Sequence, residues 1–208
     1  MRDRLPQKGG FGRNVLVLVS GTTVAQAIPI AVSPILTRMY SPSDFGVLAI
    51  FVAVTTVLGA VATGRYELAI MLPEDEEDAV HLMRVCLYLT SAVSVGLLGV
   101  VLVARHAIAD ILGSPELSGW LFLAPPTVFL TGLFQALNYA NSRRKRYRLM
   151  AQATASKAAG GVGVQLVAGL TSLGAGGLVL GQAASHAFSN GRLIRACLLY
   201  TSPSPRDS

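Results

Sequence analysis

The 208-residue sequence predicts an all-α integral membrane protein, and three observations carry that prediction. Six long apolar stretches run through the chain. Only 13% of the residues are charged against 52% hydrophobic, with a mean hydropathy of +0.54, which is too little charge to cover a soluble domain of this size. Almost every Lys and Arg falls in alternate gaps between the apolar stretches. Backbone groups in lipid must be satisfied within a segment, so each stretch is expected to be helical. The alternating pattern of a membrane barrel is absent.

The first segment runs from about Asn14 to Leu36, behind Arg2, Arg4, Lys8 and Arg13. Ala25-Gln26-Ala27 resembles a leader-peptide cleavage site. The apolar run before it is short, however, and apolar residues continue past it, which favours a retained span. The second segment opens on Ser41-Pro42-Ser43-Asp44: a Ser N-cap, Pro at the first helical position and Asp completing a capping box. A continuous helix from Pro42 to Leu72 would be about 46 Å long, and would tilt or project from a hydrocarbon core of about 30 Å. On such a helix Arg65 and Glu67, two residues apart, would not share a face.

The third segment follows Pro73 and the acidic run Glu74–Asp78, whose carboxylates suit a helix N-terminus, and extends to about Ala104. The fourth starts near Ser114-Pro115-Glu116 and ends around Asn141, with a kink expected at Pro125-Pro126. The fifth covers Leu149 to Leu170, and the sixth, rich in Gly, Leu173 to Phe188. Beyond them, Cys197 to Asp207 resembles the translation of a transposase adapter used in sequencing libraries. The chain therefore divides into a basic cytoplasmic N-terminus (1–13), a six-helix membrane domain (14–196) and a tail expected to be non-native (197–208).

Cation placement orients this path. With the N-terminus cytoplasmic, the inner gaps hold thirteen cations: Arg2, Arg4, Lys8, Arg13, Arg65, Arg84, Arg143, Arg144, Lys145, Arg146, Arg148, Arg192 and Arg195. The outer gaps hold Arg38 and Arg105. That asymmetry fixes orientation, since translocating Lys and Arg is disfavoured. The net charge of +6 suggests nucleic acid at first sight. Cations beside apolar segments are better explained by anionic phospholipid headgroups, and no nucleic-acid partner is expected. Scattered histidines and two cysteines give no metal or cofactor site.

Polar residues recur on single helical faces: Thr22, Gln26, Pro29 and Ser33 in the first segment, then Thr127, Thr131, Gln135 and Asn138 in the fourth. The sixth repeats the pattern with Gln182, Ser185, His186 and Ser189; the fifth carries Gln152, Ser156 and Lys157 before Gly160, Gly161 and Gly163. Helix packing accounts for any one stripe. Recurrence in several segments points to a polar cavity, because lipid exposure of so many polar groups is costly. Lys157 lies about two turns inside its segment, where a cation needs a partner, water, function or a path to the headgroups.

Thr37-Arg38-Met39-Tyr40-Ser41-Pro42-Ser43-Asp44-Phe45-Gly46 resembles the first external loop of polysaccharide biosynthesis and export flippases. These O-antigen flippase-like proteins belong to the multidrug/oligosaccharidyl-lipid/polysaccharide exporter superfamily. Gly64-Arg65-Tyr66-Glu67-Leu68-Ala69-Ile70 and the basic stretch Asn141–Arg148 are similar to the same family, and the likeness spans about Phe11 to Arg195. The resemblance implies a bacterial inner-membrane transporter of two six-helix lobes, 12–14 helices in all, working by alternating access. This chain would supply the N-terminal lobe and would partner a missing C-terminal lobe. The implied cargo is an undecaprenyl-pyrophosphate-linked oligosaccharide, moved from the cytoplasmic to the outer leaflet. Lys157 and Arg65, with Arg13, would attract the pyrophosphate. Gln26, Gln135 and Asn138 would contact sugars.

Two other classes stand beside this expectation. A cation-coupled drug or small-molecule antiporter of the same superfamily would need a carboxylate within the membrane, whereas Asp and Glu lie near helix ends here. A non-transporting membrane scaffold would tolerate apolar replacement of the polar stripes. An enzyme of lipid or glycan synthesis would require a convergent catalytic cluster that this sequence lacks, so no enzymatic activity is expected.

Overall fold

The protein is described by a computed structural model covering residues 8–73, 75–171 and 173–201, with side chains described between 19 and 195 except at 74, 76 and 172. Every regular element among the described residues is helical. Six long helices correspond to the six expected segments: α1 (Lys8–Met39), α2 (Pro42–Ala62), α4 (Glu76–Ile111), α6 (Ala124–Arg143), α7 (Tyr147–Gly169) and α8 (Ala175–Thr201). Two one-turn helices, α3 (Tyr66–Ala69) and α5 (Leu117–Trp120), sit in the connections.

By length and composition, four stretches are apolar enough to cross a membrane: Val19–Met39, Pro42–Ala62, Glu77–Ile111 and Leu117–Arg143. The polar residues and glycines that lower the hydropathy of α7 and α8 lie largely where these helices meet each other, α1 and α6. Side chains sheltered by protein need not satisfy lipid. The outside of the bundle is apolar, with Ile30, Val57, Val61, Tyr88, Val95 and Val103 among its exposed residues. So extensive an apolar exterior fits a bilayer rather than water. The molecule is a multi-pass, all-α membrane protein.

The capping box at the start of α2 forms as the sequence specifies. The Ser41 hydroxyl accepts from the Asp44 amide at 3.3 Å, and the Ser41 amide donates to Asp44 Oδ2 at 2.8 Å, with Pro42 opening the helix. The second segment is not one continuous helix, however. Gly64 and Arg65 both adopt left-handed backbone (φ 56° and 61°), ending α2 after 21 residues, about 32 Å. The chain then turns into α3, so the expected 46 Å helix does not form. The turn buries Glu67, which is 4% exposed, while leaving Arg65 exposed. At Pro125-Pro126 the fourth segment changes helix type without a gap: α5 and a 3₁₀ turn at Leu121–Leu123 lead directly into α6, and the prolines occupy its first turn, where missing amides cost little. The sixth helix passes Phe188 and continues to Thr201, because Asn190 and Gly191 do not interrupt it. Asp75 occupies the N-cap position of α4 without a side-chain capping bond, and Glu77 and Asp78 follow in the first turn, where the acidic run was expected to lie.

Contacts across the connections define two ends. At the cation-rich end, Arg143 from α6 donates to the carbonyls of Ile70, Pro73 and Asp75, tying α6 to the α3–α4 connection. Arg192 from α8 donates to Ser156 Oγ on α7 at 2.7 Å. At the opposite end, Arg105 lies 4.9 Å from the Phe122 ring centroid and Trp120 packs on Gly176. The main apolar core lies toward that end, built on Phe51, Val101, Leu117, Leu121 and Val179.

Candidate functional site

Helices α1, α7 and α8 enclose an open cleft of about 270 Å³. Its walls are Ala25, Gln26 and Pro29 from α1, Thr154, Lys157, Ala158, Gly161, Val162 and Gln165 from α7, and Gln182 and Ser185 from α8. Close packing of α7 on α8 creates the shape. A Cβ at Gly181 would lie 2.8 Å from the Gly161 carbonyl oxygen, and one at Gly161 would lie 2.8 Å from the Ser185 Cβ. Small residues at such crossings let helices in membranes approach closely. The stripes of α7 and α8 therefore serve packing and cavity together.

Lys157 is half-buried in the cleft wall, with its ammonium 5.3 Å from the Phe134 ring centroid on α6. No carboxylate among the described residues pairs with it. The same cleft is lined by three residues with side-chain amides, Gln26, Gln165 and Gln182, and the Gln165 amide donates to the Leu178 carbonyl at 3.4 Å. Thr154 and Ser185 spend their hydroxyl protons on the carbonyls of Met150 and Gln182, leaving oxygen lone pairs toward the cleft. Pro29 has no amide to offer the Ala25 carbonyl, which loses its helical donor beside the cavity. A cation in a cleft that also carries amides and hydroxyls can hold an anionic group while the polar side chains bond to neighbouring hydroxyls.

The α1–α2 turn is tied to α7 beside the cleft-lining Gln165. Tyr40, 5% exposed, donates its hydroxyl to the Gln165 carbonyl at 2.6 Å and packs edge-on against Phe45. Burial, with the Asp44 charge adding to it, pushes the Tyr40 phenol above its ordinary pKa, so it remains a proton donor at neutral pH.

Of the six residues singled out in the sequence, the structure brings two together, Lys157 and Gln26. Gln135 and Asn138 lie half-buried on α6 and do not line this cleft; the Gln135 Oε1 is buried without a partner. Arg65 is exposed at the α2–α3 turn and also lies outside the cleft. Arg13 belongs to α1, but its side chain falls outside the described residues. Gln165 and Thr154 escaped sequence reasoning as site residues, although Lys157, Gly161 and Gln165 recur at four-residue spacing along one face. The stripe on α8 splits: Gln182 and Ser185 line the cleft, whereas His186 meets Thr131 on α6 and Ser189 donates to the His186 carbonyl; Asn190, beside the stripe, donates to the Leu130 carbonyl on α6.

Comparison with known proteins gives one family. A family model described as polysaccharide biosynthesis protein matches residues 35–205. No curated protein and no solved structure is matched by the chain.

Proposed function

The chain belongs to the polysaccharide biosynthesis protein family, and on that premise we propose that it forms the N-terminal lobe of a flippase for lipid-linked oligosaccharide. The cargo is a polyprenyl-pyrophosphate glycan moved from the cytoplasmic to the outer leaflet of the bacterial inner membrane. A second lobe completes the transport path, and the basic end of the bundle faces the cytoplasm. The observation that carries this reading is Lys157: an embedded cation with no carboxylate partner among the described residues, in a cleft also lined by Gln26, Gln165 and Gln182. The ammonium attracts the pyrophosphate, and the amides bond to the first sugar.

In the complete protein, Lys157→Ala lowers export of the glycan about tenfold or more at unchanged protein abundance, on the scale of one lost charge-assisted contact. Lys157→Arg retains most of it. Unchanged export by Lys157→Ala removes the residue from the mechanism.

A cation-coupled antiporter is the second reading, and one observation favours it. Glu67 is a buried carboxylate whose Oε2 has no hydrogen-bond partner. An antiporter would exchange a small organic cation against an ion gradient and lose that exchange in Glu67→Gln. It would transfer no lipid-linked glycan.

A further inference from the structure

A second concavity lies on the α7–α8 pair and shares no lining residue with the Lys157 cleft. It measures about 560 Å³, and its principal walls are Gly160, Gly163, Val164, Val167, Thr171 and Phe188. The glycines shape it. A Cβ at Gly160 would lie 2.3 Å from the Phe188 ring, whereas one at Gly163 would meet nothing within 4 Å. The groove is thus seated on Phe188 and open above Gly163. From Gly160 to Thr171 it runs about 16 Å along α7, close to half of a hydrocarbon core of about 30 Å.

Its cation-rich end carries a charge. Ser156 lies one turn before Gly160 on α7, and Arg192 one turn after Phe188 on α8, so both continue the groove's two walls. Arg192 Nη1 donates to Ser156 Oγ at 2.7 Å and to the Gln152 carbonyl at 3.3 Å. Its Nε and Nη2 donors have no protein partner among the described residues. One nitrogen therefore fixes the guanidinium while the remaining donors face outward. A planar cation beyond the cation-rich end of this apolar groove complements a lipid phosphate with its attached chain.

We propose that this groove binds one anionic membrane phospholipid, with its phosphate on Arg192 and an acyl chain along Gly160–Thr171. The site does not depend on the transport reading, since it involves neither Lys157 nor a carried glycan. Gly163→Leu fills the groove at a position with open space, and Arg192→Gln removes the charge.

Native mass spectrometry of the purified protein, titrated with palmitoyl-oleoyl phosphatidylglycerol or with phosphatidylcholine of the same chains, tests the site. The expected result is one retained phosphatidylglycerol per chain, with phosphatidylcholine held at least about tenfold more weakly, the scale of one charge-assisted contact. Arg192→Gln abolishes the headgroup preference, Arg192→Lys keeps part of it, and Gly163→Leu weakens both lipids. Equal retention of the two lipids by the unaltered protein overturns the proposal, as does undiminished phosphatidylglycerol binding in both Arg192→Gln and Gly163→Leu. Displacement of phosphatidylglycerol by substoichiometric polyprenyl phosphate would assign the groove to the substrate instead. A dimer that Gly163→Leu dissociates would assign it to a second copy of the chain.

Discussion

Lys157 and Glu67 are opposite solutions to the same problem of placing charge inside an apolar bundle. Lys157 has an aromatic ring and a polar cleft around it; Glu67 is buried with an oxygen that nothing donates to. A buried unsatisfied group costs about 1–3 kcal/mol, more when charged. Glu67→Leu is therefore expected to raise stability by at least about 1 kcal/mol, read as a higher midpoint of thermal unfolding in detergent; a lower midpoint would mean that the carboxylate has a structural role. Lys157 and Gln26 were legible as polar interruptions at helical spacing. Arg65 was not: its exposure follows from a left-handed backbone at residue 65, which hydropathy and charge do not register. The role of Arg192 depends on Ser156, 36 residues away, and that pairing becomes visible only when α7 and α8 are set side by side.

Helix starts were read more accurately than helix breaks, because caps are local and breaks are not. Ser41, Pro42 and Asp44 specify the start of α2 from side chains within four residues. Ser41→Ala is expected to cost about 1 kcal/mol, measured as the shift in unfolding midpoint. The end of α2 at Gly64-Arg65 is set by tertiary demand instead: the turn must deliver α3 beneath α4 and α6, where the Arg143 guanidinium then gathers the carbonyls of Ile70, Pro73 and Asp75. Arg143→Ala strands those carbonyls and lowers stability by about 1–3 kcal/mol; an unchanged midpoint would show that water replaces the guanidinium. At the α7–α8 crossing, Gly181→Ala places a methyl 2.8 Å from the Gly161 carbonyl. The expected loss is about 1–3 kcal/mol, with a cleft widened between Gln165 and Gln182.

At the scale of the whole molecule, hydropathy and cation placement sufficed for the number of long helices and for which connections share an end. They under-represented α7 and α8, whose polar and glycine content reflects contact with protein rather than lipid. The apolar exterior, the two ends and the family place the chain in a membrane with a role connected to polysaccharide. Reconstitution of the complete protein into liposomes tests the flippase reading most directly. A fluorescent polyprenyl-pyrophosphate oligosaccharide would be loaded in one leaflet and its appearance in the other followed with a membrane-impermeant quencher. Transfer well above protein-free liposomes, lost in Lys157→Ala, is the predicted result. Transfer no faster than in protein-free liposomes, while the same vesicles exchange small organic cations against an ion gradient, would contradict it and make the protein an antiporter.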